Sequence, residues 1–80
     1  MSEYLQNEGR LAQVRLQIKE ARLRLENLRD SLRRELDQFE PLENLKGIAI
    51  QTLAFDFAAR QIDYQELLDT EKALCQALGK

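Results

Sequence analysis

Eighty residues with a net charge of −2, one cysteine, one proline and no histidine make one domain at most. A core that small is marginal unaided, and Cys75 alone builds neither an internal disulfide nor a structural zinc site. Helix packing or oligomerisation must supply what is missing.

Met1 to Arg10 is polar and lacks the apolar core of a signal peptide. From Arg10 to Glu40 nothing breaks a helix, and Leu, Arg, Glu and Gln dominate. Leu11, Val14, Ile18, Ala21, Leu25, Leu28 and Leu32 recur at alternating spacings of three and four, which is a heptad seam. The seam drifts through Leu36 to Phe39, as a stutter makes it. These patterns predict helix one over about residues 3–38. A thinner apolar stripe, Leu5, Ala12, Leu16 and Leu23, falls nearly opposite the seam. One partner helix cannot cover both sides, so helix one is expected to meet more than one neighbour.

Residues 39–47 read as the turn. Pro41 disfavours helix at Glu40 and suits the first turn of a new one. Helix two then starts at Pro41 or at Ile48, and is placed at about 48–78 with Gly79 as its stop. Ile50, Leu53, Phe57, Tyr64, Leu67, Leu74 and Leu78 fall on one stripe, interrupted by Arg60 and Glu71. Ile48, Phe55 and Ile62, spaced by seven, form the opposite stripe. The first half of helix two is thus apolar on two sides, and Ala54, Ala58 and Ala59 permit close approach. A strand at Ile48 to Phe55 is the competing reading, but it has no second strand to pair with. No stretch is long and apolar enough for a bilayer.

Arg10 to Arg34 carries eight basic residues against three acidic, whereas Pro41 to Lys80 carries four against six. Folding at the turn with Phe39 opposite Gly47 makes facing residue numbers total about 86. Arg29 is then expected near Asp56, Arg22 near Asp63, and Arg15 near Asp69 or Glu71. These pairs favour antiparallel pairing within one chain. A parallel homodimer of helix one would crowd its arginines. Together the patterns predict an all-α, coiled-coil-like antiparallel hairpin of two helices, in one domain over 1–80. The hairpin is expected to assemble into a four-helix bundle. Ile48, Leu53, Phe55, Phe57, Ala58, Ala59 and Ile62 are its expected interface.

Catalytic chemistry finds no support. Ser2, Ser31, Thr52 and Thr70 have no activating partner in sequence, and without histidine the usual general base is missing. Cys75 sits near the apolar side of helix two and reads as a structural thiol. The carboxylate pairs Asp63/Glu66 and Glu40/Glu43 lack the Glu-x-x-His pattern of bundle metal sites, and no phosphate-binding loop is present. No catalytic residue, cofactor or metal is therefore expected. Arg15, Lys19, Arg22, Arg29 and Arg33 form a basic ridge beside the seam, interrupted by Glu26. Such a ridge can contact phosphates. Yet the chain is acidic overall and has no reading motif.

Three segments resemble a family of small helical proteins of Mu-like prophages. They are Asp37-Gln38-Phe39-Glu40-Pro41-Leu42-Glu43-Asn44-Leu45, Gln61-Ile62-Asp63-Tyr64-Gln65-Glu66-Leu67-Leu68, and the ending Lys72-Ala73-Leu74-Cys75-Gln76-Ala77-Leu78-Gly79-Lys80. The first is similar to the family's Asp-Pro-Phe-Glu-Pro turn, with Gln38 where the family has Pro. The resemblance implies a phage or prophage origin and transfers no catalytic residue. The sequence reading is thus a non-enzymatic, cytoplasmic assembly module that pairs with itself, a dimer being favoured, or with a helical partner. Nucleic-acid contact through the basic ridge is the alternative.

Overall fold

The computed structural model describes residues 3–80, so Met1 and Ser2 lie outside the described residues. Two long helices, α1 (Glu3–Glu35) and α2 (Gly47–Ala77), pack antiparallel as a hairpin. They form a rod of 62 × 16 × 16 Å. The described residues are all-α, and the segment from Ile48 that partly alternates is helical. Ile50 and Leu53 of that segment pack towards α1, and among the described residues there is no strand for it to pair with.

α1 stops at Glu35, three residues short of the sequence reading. The reason is local. Asp37 Oδ1 accepts the Phe39 N–H at 3.0 Å, and the Asp37 carbonyl accepts the Glu40 N–H at 3.2 Å. An aspartate side chain that captures a backbone donor two residues on competes with helix propagation. Pro41 then leads into a single 3₁₀ turn, Leu42–Asn44, in which its carbonyl accepts the Asn44 N–H at 2.9 Å. Neither candidate start is where helix two begins, though Ile48 is one residue off. Pro41 opens the short turn, and α2 proper begins at Gly47.

The far end of α2 closes differently. Gly79 has φ +70, the Gly79 N–H bonds Gln76 O at 3.2 Å, and the Lys80 N–H bonds Cys75 O at 2.8 Å. This paired pattern needs a left-handed residue just past the helix, and glycine adopts it without strain.

The seam lies where its spacing puts it. Leu11, Val14, Ile18, Leu74 and Leu78 form the buried cluster, with Tyr64, Leu67, Leu68 and Cys75 packed against it. Leu25 is also buried. The distribution along the rod is uneven. Towards the turn Leu28, Leu32, Ile50, Leu53 and Phe57 are only half-buried, and Leu36 and Phe39 are exposed. An open groove of about 1050 Å³ lies there between Leu32, Leu36, Phe39 and Phe57. The hairpin is tight at its terminal end and loose at its turn.

Register follows the charges in part. Arg15 Nε lies 3.3 Å from Glu71 Oε2, and Arg22 Nε donates to the Tyr64 hydroxyl at 3.2 Å. Positions 15 with 71 and 22 with 64 each total 86. Arg22 therefore meets the neighbour of Asp63 rather than Asp63 itself. The expected Arg29–Asp56 pair is replaced by local ones. Arg29 Nε sits 3.3 Å from Asp30 Oδ1, and Arg60 Nε sits 3.2 Å from Asp56 Oδ1 one turn away. Acids close in sequence outcompete a partner across the loose part of the seam. Such exposed pairs contribute at most about 1 kcal/mol each, so they select orientation rather than supply stability.

Candidate interaction surface

The residues that the fold leaves uncovered are specific. On α2 the seven-spaced stripe points away from α1, with Ile48 82%, Phe55 68% and Ile62 57% exposed. Gln51, Thr52, Ala58 and Ala59 share that face and are also exposed. Leu53 and Phe57, expected at the same interface, are half-buried instead. Phe57 borders the same groove as Arg29 and Leu32 of α1. The expected set therefore divides, with Ile48, Phe55, Ala58, Ala59 and Ile62 on the outer face and Leu53 and Phe57 on the hairpin's own seam.

α1 has its own uncovered stripe, with Leu5, Leu16 and Leu23 all more than half exposed. Lys19 interrupts that stripe within its own span, whereas the α2 face carries no charged residue from Ile48 to Ile62 and meets its first, Glu66, one turn further on. The α2 face is the one built for desolvation, because burying an unpaired charge costs several kcal/mol or forces its neutralisation.

The basic ridge is partly occupied. Arg15 reaches Glu71 and places Nη2 3.7 Å from Cys75 Sγ, Arg22 reaches Tyr64, and Arg29 pairs with Asp30. The hydrogen bond to Tyr64 holds the Arg22 pKa above its ordinary value. Lys19 and Arg33 remain exposed. Among the described residues no cluster of three or more Cys, Asp or Glu side chains is placed to hold a metal ion.

A clasp joins the two helices at the terminal end of the rod. Lys80 Nζ lies 2.9 Å from Glu8 Oε1 and 3.1 Å from Oε2. The Lys80 ammonium, and secondarily Tyr4, holds the Glu8 carboxyl below its ordinary pKa. A depressed carboxylate contributes stability that is present at neutral pH and lost as pH falls through its folded-state value. Lys80→Ala should move the Glu8 titration, followed by carboxyl-carbon NMR, back up towards the ordinary glutamate value. An unchanged titration would mean the clasp does not form in solution.

No protein-family model, curated protein or solved structure matches the chain. The site must therefore be interpreted from its own chemistry. Among the described residues no helix is long and apolar enough to cross a membrane.

Proposed function

We propose that this hairpin is a non-enzymatic assembly module that pairs with a second copy of itself through the outer face of α2, the two α2 helices lying side by side between the two α1 helices. The observation that carries the proposal is the uncharged, exposed outer face of α2. The chain exposes 6359 Å², whereas a compact 9.3 kDa monomer exposes about 5,000 Å². The surplus reflects the rod shape of 62 × 16 × 16 Å, which leaves the outer sides of both helices in solvent. Six side chains, three from each copy, contribute about 1.5–3 kcal/mol apiece when buried, against an association cost of about 4–15 kcal/mol. The resemblance to proteins of Mu-like prophages adds a phage origin to the reading, with action in the cytoplasm.

Sedimentation equilibrium at micromolar concentration tests the proposal. A dimer or larger species is expected. A well-folded 9.3 kDa monomer that neither aggregates nor binds a hydrophobic dye would overturn it.

Nucleic-acid contact is the weaker reading, since three of the five ridge arginines and lysines already have protein partners. DNA filter binding should accordingly be weak and vanish by physiological salt, because binding that rests on phosphate contacts alone falls steeply with ionic strength. Retention at that salt would restore the ridge as the functional surface.

A further inference from the structure

The self-association proposed above leaves the direction of pairing open, and the composition of the α2 face decides it. We infer that two hairpins meet with their α2 helices antiparallel, about a two-fold axis passing at Phe55. The face is close to palindromic about that residue. Ile48 and Ile62 stand seven positions to either side, Gln51 and Thr52 fill the intervening turn on one side, and Ala58 and Ala59 fill it on the other. Antiparallel pairing on Phe55 sets each isoleucine against the opposite isoleucine of the second copy. It also sets the bulkier Gln51 and Thr52 against Ala58 and Ala59. Large groups then meet small ones on both sides of the axis, which is how facing helices interdigitate. Parallel in-register pairing would crowd the Gln51–Thr52 turns together and leave a gap at the alanines, and gaps forfeit contact energy. The Thr52 hydroxyl donates to the Ile48 carbonyl at 3.0 Å. Its polar group is therefore satisfied within its own helix, leaving it fit for burial.

A second feature of α2 points the same way. The helix begins without a side-chain cap, has Lys46 at the capping position and carries no acidic residue in its first turn. The positive end of its dipole is thus uncompensated within the chain. In the antiparallel pair, exposed Glu66 lies level with the turn of the second copy, beside Lys46 and the start of its α2. Glu66 then supplies the missing negative charge on both sides of the axis. Parallel pairing would instead put Glu66 beside Glu66 of the second copy.

Disulfide trapping tests the direction. Ile48→Cys and Ile62→Cys are prepared separately, each with Cys75→Ser, one of them carrying a tag. Antiparallel pairing holds like positions about 21 Å apart along the axis, beyond the reach of a disulfide. Each variant oxidised alone should stay uncrosslinked, and the mixture should yield a covalent heterodimer. Crosslinking of each variant with itself would overturn the antiparallel arrangement while leaving self-association intact. A Cys75→Ser dimer with no crosslink in any sample would overturn the choice of face. A Cys75→Ser monomer in the centrifuge would remove the self-association itself, so the two failures are distinguishable. Should the isoleucine variants no longer associate, Gln51→Cys mixed with Ala58→Cys makes the same test at the rim of the face, with the same outcomes deciding.

Discussion

Leu11→Ala should destabilise the hairpin by about 2–5 kcal/mol, the range for truncating a buried leucine. Leu11 is the most fully buried side chain of the described residues, at 1% exposure, and it belongs to the cluster with Leu74 and Leu78. Few other residues are buried, so no second core takes up the loss. Total stabilities of single domains run about 5–15 kcal/mol, and a domain this small lies low in that range. Circular dichroism melts should show most of the folded population lost at room temperature, or a midpoint lowered by ten degrees or more. Leu28→Ala, on the same seam but half-buried near the turn, should cost markedly less. Equal losses at the two positions would mean that the packing of the rod is even along its length.

Phe55→Asp should abolish assembly, raising the dimer dissociation constant at least about a hundredfold. In the proposed pairing the substitution puts a carboxylate on the two-fold axis, where each copy meets its equivalent and both lose water. Leu16→Asp should do less, because Leu16 lies on the stripe of α1 that Lys19 interrupts. The contrast is informative because Phe55 and Leu16 are both largely exposed in the hairpin, at 68% and 57%. Burial within one chain therefore gives no reason for them to differ. Light scattering and melts at two protein concentrations check the ranking, and the opposite order would place the interface on α1.

Periodicity made most of the hairpin legible. Heptad spacing from Leu11 to Leu32 named the inner side of α1, and the single proline located the reversal. Register was legible because two arginines a heptad apart, Arg15 and Arg22, meet partners at the expected level. Asp37 was not legible as a helix stop, because periodicity records side-chain polarity and not the capture of the Phe39 amide. Nor did the pattern tell Arg29 to choose Asp30, since a wheel has no term for backbone separation near a turn. Of the two stripes on helix two, the sequence alone could not say which α1 would cover. That choice required the three-dimensional pairing, which leaves Ile48, Phe55 and Ile62 outside. The uneven tightness of the seam was equally hidden, since leucines repeat at the same spacing in its tight and loose halves.

The tight end of the seam lies far from the turn, and this bears on how the chain folds. Helical hairpins are commonly fast folders because their contacts are local. Here the contacts that matter most join Leu11 to Leu74 and Leu78, so nearly the whole chain separates them. Zipping outward from residues 36–46 yields little until the far ends meet, and the entropy of closing that long loop is incurred first. Folding should therefore be slower than helix content alone implies. Lengthening the connection should hardly matter, since each doubling of a flexible loop costs only about 0.6 kcal/mol. The turn sets the direction of the chain, and the contact order of the fold is set at its opposite end.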